Sequence, residues 1–135
     1  MERFIKAQKE DYKRAHAEVT NGRKVSHWMW YIFPQVAGLG YSETARYYAV
    51  QDAREAEQYL AHPVLGPRLL EICQALLTLS TSDPRAVFGT PDDMKLKSSM
   101  TLFAALPKSN PVFQAVLDKF FSGNKDEKTL QLLQG

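Results

Sequence analysis

The sequence predicts an all-α fold, a single compact multi-helix domain spanning residues 1–135 with one irregular aromatic segment. Composition favours helices, because 15 Leu and 14 Ala outnumber 8 Val and 3 Ile, and β-branched side chains lose more rotamer freedom in a helix. The positions of capping residues and prolines also predict helices. A capping side chain precedes proline at 83–84, 90–91 and 110–111, and proline suits the first position of a helix.

The first helix is predicted from about Arg3 to Asn21, because its apolar residues recur at helical spacing. Lysines and Glu10 occupy the rest of its circumference, and Gly22 can close it in a left-handed conformation. One face carries Phe4, Gln8, Tyr12, Ala15 and Val19.

The remaining helices are predicted from caps and periodicity. Asp52 with Glu55 forms a capping box, and the run of Leu, Ile and Cys between 68 and 79 is apolar around most of its circumference, which predicts the most buried element. Gly123 marks the end of another helix. The predicted ranges after the first helix are Ser42 (cap) to Val50, Asp52 (cap) to Ala61, Arg68–Leu79, Pro84–Phe88, Pro91–Leu106, Pro111–Phe121 and Asp126–Leu133.

The segment from 26 to 35 contains both tryptophans and fits two interpretations. As an extended strand, it would place Trp28 and Trp30 on one face. As a short helix, it would point the two indoles in roughly opposite directions and bring His27 and Tyr31 to one face.

Charge and motif content exclude several classes of protein. Lys plus Arg total 17 against 15 Asp plus Glu, a balance of +2 that disfavours nucleic acid as a partner. Cys73 is the single cysteine, and no stretch is apolar enough for a membrane span. The three histidines lack zinc-site spacing and no glycine-rich phosphate motif occurs, so we predict no metal and no cofactor, in a soluble cytoplasmic protein of open oligomeric state.

The aromatic segment carries the first set of candidate site residues. An imidazole beside aromatic rings can act as general acid or base, which makes His27 a catalytic candidate. Cations near indoles suit an anionic, planar ligand, so Lys24, Trp28 and Trp30 are candidate ligand-binding residues. Gln35 either binds a polar edge of the ligand or satisfies a backbone group in the turn after Pro34. The alternative is a core segment in which the imidazole donates to a backbone carbonyl.

The helix predicted from Pro91 carries the second set. On a helical wheel Asp92, Lys95 and Ser99 follow the border of the apolar stripe, where Lys95 and Ser99 can bind a phosphate or ribose and Asp92 can act as base. Lys97, Ser98 and Thr101 lie on the opposite side, which is predicted to face solvent, but Lys97 is near enough to the apolar stripe to be a further candidate for binding the anion. The alternative is an ordinary surface pair between Asp92 and Lys95.

Four sequence blocks together resemble a known family. They are GRKVSHWMWYIFPQVAGLGYS, EAEQYLAHPVLGPRL, DDMKLKSSMTLF and VLDKFFSGNKDEKTLQLL. The chain resembles the Domain of Unknown Function 1810 family along essentially its whole length. The resemblance implies one mainly α-helical domain and no established activity. Some members are labelled calpastatin, but calpastatin repeats are disordered, whereas this composition is that of a packed globule.

The leading functional hypothesis is a pocket formed by residues 23–40 and 92–103. It would bind a small anionic, nucleotide-like or ADP-ribose-like ligand, a class that a looser similarity to helical domains associated with NAD and ADP-ribose also favours. His27 and Asp92 would supply acid–base chemistry if the protein hydrolyses a glycosidic bond. The alternatives are a non-catalytic interaction module and a scaffold without a pocket.

Overall fold

Helix boundaries follow the capping signals closely. The computed structural model describes residues 1–134. Asp83 and Asn110 each accept a hydrogen bond from a backbone N–H in the first turn of the helix that begins at the next proline. Gly22 follows the first helix with φ of 77°. The helices are α1 (Glu2–Thr20), α2 (Met29–Ile32), α3 (Glu43–Tyr47), α4 (Ala53–Ala61), α5 (Leu65–Leu77), α6 (Pro84–Phe88), α7 (Asp92–Ala104), α8 (Pro111–Phe121) and α9 (Glu127–Gln134).

One hydrophobic core joins these helices, so the predicted all-α domain is confirmed. The core centres on α7, which packs against α4, α6, α8 and α9, while α5 packs against α1, α4 and α8. Every residue of α7 from 98 to 103 is buried. The sequence predicted α5 as the most buried element, but α7 shares that position because it is covered on its polar side as well.

That polar side of α7 is the main correction to the predicted fold. Ser98 and Thr101 are buried, not exposed to solvent as predicted. The Ser98 hydroxyl donates to Asp126 Oδ2 at 3.1 Å, and the Asp126 backbone N–H donates to Thr101 Oγ1 at 2.9 Å. A helical wheel could not anticipate this contact, because it is made by the start of the distant helix α9.

Two predicted helix ends are also corrected. The helix after Ser42 ends at Tyr47, not Val50, because Val50 leaves it to pair with the aromatic segment: its N–H donates to Gln35 O at 2.9 Å. Thr90 does not cap the next helix. Pro91 holds the cap position of α7, and Thr90 Oγ1 accepts a hydrogen bond from Arg85 Nε at 3.1 Å.

The aromatic segment adopts the second of its two interpretations. Helix α2 is a single turn, and the two indoles diverge: Trp28 is 1% exposed and packs on Phe33 and Phe88, whereas Trp30 is half-buried. The Tyr31 hydroxyl donates to the Asp11 carboxylate and lies 3.1 Å from the His27 carbonyl, so the two residues lie on one side of the segment, as this interpretation predicts. Across residues 1–134, no helix combines the length and apolarity needed to cross a bilayer.

Candidate functional site

A cavity of about 300 Å³ separates the aromatic segment from the first turn of α7. We call it the basic cavity. Both predicted segments contribute to it, so the side chains of His27 and Lys95 line one hollow even though they are far apart in the chain. Its lining residues are Lys24, His27, Trp28, Met29, Trp30, Tyr31, Thr44, Asp92 and Lys95.

Two lysines converge on one carboxylate in this cavity. Lys24 Nζ lies 2.9 Å from Asp92 Oδ2, and Lys95 Nζ lies 3.0 Å from Asp92 Oδ1. The side chains of Lys24, Asp92 and Lys95 are 8%, 19% and 23% exposed, respectively. The cluster therefore carries a net charge of +1 in a region that is largely withdrawn from water.

This cluster keeps Asp92 ionised. Burial by itself would raise the pKa of Asp92, but hydrogen bonds from Lys24 and Lys95, reinforced by their charges, outweigh it and lower the pKa. Both carboxylate oxygens already accept from an ammonium group. Asp92 is therefore placed to hold the two lysines and to supply negative charge, rather than to donate or accept a proton.

Trp30 and Lys95 form one wall of the basic cavity. Lys95 Nζ lies 4.2 Å from the centre of the Trp30 ring, within the range of a cation–π contact. Lys24 Nζ stands 5.1 Å from the Trp28 ring, but that indole is sealed in the core and its Nε1 donates to Glu18 at 2.9 Å. Of the two predicted indoles, Trp30 is the one that a ligand could contact over an area of its ring.

His27 stands at the mouth of the basic cavity and is exposed. Its carbonyl lies 3.1 Å from the Tyr31 hydroxyl, whereas its imidazole makes no hydrogen bond with residues 1–134. The alternative of a core histidine bonded to a backbone carbonyl does not describe this arrangement. The ring is available to a ligand that enters the cavity.

Glu18 fixes the loop that carries Lys24 and His27. Its carboxylate accepts from the backbone N–H groups of Val25 and Ser26, at 2.7 and 2.8 Å, and from the Ser26 hydroxyl and the Trp28 indole. Burial opposes ionisation, but these four hydrogen bonds outweigh it and lower the pKa of Glu18 from its ordinary 4.5 to about 2. No sequence pattern marks this residue, because it lies on the helix face predicted to be polar.

We expect Glu18→Gln to destabilise the protein by about 2 kcal/mol at neutral pH, because it removes charge-assisted hydrogen bonds from one loop. A folded-state pKa below the unfolded value stabilises the fold above pH 4.5, and this contribution is lost as the pH falls towards 2. The gap between the wild-type and variant melting temperatures should therefore close over that interval. Glu57→Gln, at an exposed position of α4, is the matched control, and an equal gap at every pH would contradict this role for Glu18.

Two further cavities adjoin the basic cavity around Trp30. The middle cavity, about 220 Å³, is bordered by Trp30, Gln35, Leu39, Lys95, Ser98 and Asp126. The amide cavity, about 230 Å³, is bordered by Trp30, Gln35, Gly38, Gly40, Ala45 and Tyr48. Because the middle cavity shares Lys95 with the first and Gln35 with the second, the three follow one another along the Trp30 side chain.

The structure does not bring every candidate residue to these cavities. Ser99 is fully buried, its hydroxyl finds no partner among residues 1–134, and it borders none of the three cavities. Lys97 is half-buried and likewise borders none of them. Conversely, Thr44 of α3 and Asp126 ahead of α9 border the site without any sequence pattern that marks them.

No group of three His, Cys, Asp or Glu side chains that could hold a metal ion occurs within residues 1–134.

A model of the family described as "Protein of unknown function (DUF1810)" matches residues 1–133 of this chain. The chain belongs to the DUF1810 family. The resemblance found in the four sequence blocks is thus confirmed, and both halves of the basic cavity lie within the DUF1810 match.

The DUF1810 fold of this chain is similar to a solved structure, that of the conserved hypothetical protein Rv1873 from Mycobacterium tuberculosis. The two are 42% identical, with a TM-score of 0.96 over 99% of this chain and 96% of that one. No curated protein matches the chain. Neither the DUF1810 description nor the name of that structure states an activity, so the evidence on function comes from the cavities of this chain.

Proposed function

We propose that the protein binds a small anionic, nucleotide-like ligand, with its phosphate in the basic cavity. The observation that carries the proposal is the surplus positive charge of the Lys24–Asp92–Lys95 cluster at the wall of a cavity. A pair of one lysine and one carboxylate would be neutral. A second, largely buried ammonium costs desolvation energy that an incoming anion can recover.

Hydrogen-bonding capacity supports the same ligand class. Each lysine has three N–H donors and Asp92 engages one from each, so donors remain for a phosphate. The exposed His27 can add a further contact at the mouth. Trp30 offers an apolar surface beside Lys95, which suits a ligand that joins a phosphate to a ribose or a ring.

Lys95→Met is the sharpest test, because methionine keeps the apolar stem of the side chain against Trp30 and removes only the charge. We expect ribose 5-phosphate, AMP and ADP-ribose to raise the melting temperature of the wild-type protein with increasing concentration. Lys95→Met should weaken this binding by about tenfold to a hundredfold, the range for a hydrogen bond to a charged group.

Lys97→Met is the matched control for that variant. It removes the same charge from the same helix at a half-buried position outside the three cavities, so its affinity should equal that of the wild type. The proposal fails if none of the three compounds binds, or if both lysine variants bind equally well.

A specific observation also favours hydrolysis of a glycosidic bond as a second candidate function. An ionised carboxylate and an exposed imidazole border the same cavity, and a carboxylate can stabilise the positive charge that develops on the sugar. In this role water adds to the anomeric carbon as the glycosidic bond breaks, His27 takes a proton from that water and returns one to the leaving group, and Asp92 acts electrostatically. Chromatography of AMP or ADP-ribose incubated with the protein tests it: the wild type should release free adenine, and His27→Gln should not.

A further inference from the structure

The side chain of Gln35 is the least explained polar group near Trp30. It is 8% exposed, and its Nε2 has no hydrogen-bond partner within residues 1–134. Native structures leave few buried donors unpaired, so each one calls for an explanation. The backbone of Gln35 does not provide it, because the carbonyl that accepts from Val50 at 2.9 Å would do so with any side chain at position 35.

The position of Gln35 points to a ligand as the missing partner. Gln35 borders both the middle and the amide cavities, so a ligand in either cavity would lie beside this residue. An amide carries donors and an acceptor, and it pairs best with a group that presents an acceptor next to a donor.

The amide cavity suits a neutral group, because Arg46 is the one charged residue in its lining among residues 1–134. Its walls include Gly38, Gly40 and Ala45. A Cβ at Gly40 would lie 2.7 Å from the Ala45 Cβ and 3.6 Å from the Trp30 ring, so only glycine lets the chain pack this closely against Ala45 at the cavity wall. Arg46 at the rim is exposed, where water screens its charge.

The middle cavity, which lies between the basic and the amide cavities, differs from the basic cavity in charge. The Asp126 carboxylate borders the middle cavity and accepts from Ser98 at 3.1 Å and from the Thr129 backbone at 3.1 Å. A negative charge there disfavours a second phosphate and favours a neutral group. Of the three cavities along Trp30, the basic cavity therefore suits an anionic group, and the amide cavity suits a neutral group that forms hydrogen bonds.

We infer that Gln35 determines specificity at a nucleobase subsite. The inference rests on the proposed function: the phosphate lies against Lys95 and the base of the same nucleotide reaches the amide cavity. Gln35 Nε2 donates to a ring nitrogen or carbonyl of the base, and Oε1 accepts from the adjacent amino or imino group. Adenine presents such an edge, and glutamine recognises it elsewhere through paired hydrogen bonds.

Titration calorimetry with AMP and ribose 5-phosphate tests the subsite, because the second compound keeps the phosphate and sugar but lacks the base. The wild-type protein should bind AMP at least about tenfold more tightly than ribose 5-phosphate. Gln35→Met, which matches the length of the side chain without its donors, should bring AMP down to the affinity of ribose 5-phosphate and leave ribose 5-phosphate unchanged. Gln58→Met, at an exposed position of α4, should behave like the wild type.

The outcomes distinguish a failure of the nucleobase subsite from a failure of the phosphate-binding function. If the wild type binds both compounds equally, the subsite is wrong and the phosphate-binding function stands. If it binds neither, both are wrong. A purely structural Gln35 would instead give a Gln35→Met variant that melts lower and loses both ligands together, which would also overturn the inference. We expect its melting temperature to be at least that of the wild type, because the variant removes an unpaired buried donor.

Discussion

Gly66→Ala is expected to destabilise the protein by about 3 kcal/mol, although alanine is the better helix former. Gly66 is buried in the first turn of α5, and a Cβ there would lie 2.1 Å from the backbone oxygen of Leu60 in α4. Helix propensity by itself favours alanine by about 1 kcal/mol. The steric term is larger, because the contact is with backbone and α4 would have to move away by about 1 Å.

Urea unfolding measures this effect as a lower midpoint with an unchanged slope. Gly22→Ala is the control, because its Cβ would come no closer than 3.8 Å to Leu79 and the change carries only the cost of a left-handed backbone, about 1 kcal/mol. A Gly66→Ala variant as stable as the wild type would mean that α4 and α5 do not cross as closely as this geometry requires.

Asp92→Asn is expected to separate stability from ligand binding. It should cost about 2 kcal/mol, less than the roughly 3–5 kcal/mol for a broken buried ion pair, because the carboxylate keeps some exposure. The loss arises because Lys24, whose side chain is 8% exposed, would keep its charge without a counter-charge. The net charge of the cluster would rise from +1 to +2, so phosphate ligands should bind at least as tightly as to the wild type.

The acid dependence gives this prediction a second readout. The pKa of Asp92 is lowered in the fold, so its stabilising contribution is present above the ordinary value of 3.8 and is lost as the pH falls through the folded value. The difference in melting temperature between wild type and Asp92→Asn should therefore shrink as the pH falls below 3.8.

Asp93→Asn is the matched control for this variant. Asp93 adjoins Asp92 in the first turn of α7 and accepts from the Met94 backbone, but no lysine contacts it, so its loss should cost about 0.5 kcal/mol. Two asparagine variants of equal stability would contradict the role given to the cluster. A fall in phosphate affinity in Asp92→Asn would show that the carboxylate matters more for positioning the lysines than for limiting their charge.

The Asp92→Asn variant also bears on catalysis. A protein that only binds its ligand should tolerate Asp92→Asn in binding assays, whereas glycosidic hydrolysis should be lost, because asparagine cannot supply the negative charge that stabilises the reacting sugar. Binding retained with turnover lost would thus assign Asp92 to the chemical step.

The helices could be predicted from the sequence because their signals are local. Asp83, Asn110 and Gly22 act on backbone groups within a few residues, and each performs its predicted role. The prediction was wrong where a distant partner intervened. Val50 leaves its helix to pair with the aromatic segment, and Asp126 covers Ser98 on α7.

The candidate site divides in the same way. Residue chemistry alone singled out Lys24, His27, Asp92 and Lys95, since few other segments combine aromatic rings with cations or place a carboxylate and an ammonium on one helical edge. It also singled out Ser99, which the structure buries away from all three cavities. Neighbouring positions on one helix face share a direction, but whether that direction ends in a cavity depends on what packs against it.

The sequence by itself determined the all-α class, the places where most helices begin and end, and which two segments carry the reactive side chains. Only the tertiary structure decided that Lys24 and Lys95 share a single carboxylate, that Trp28 is core while Trp30 borders open space, and that Gln35 is buried without a partner. The physical reason is range: capping and periodicity act within one or two turns of chain, whereas charge pairing and burial depend on atoms that the chain brings together from far apart.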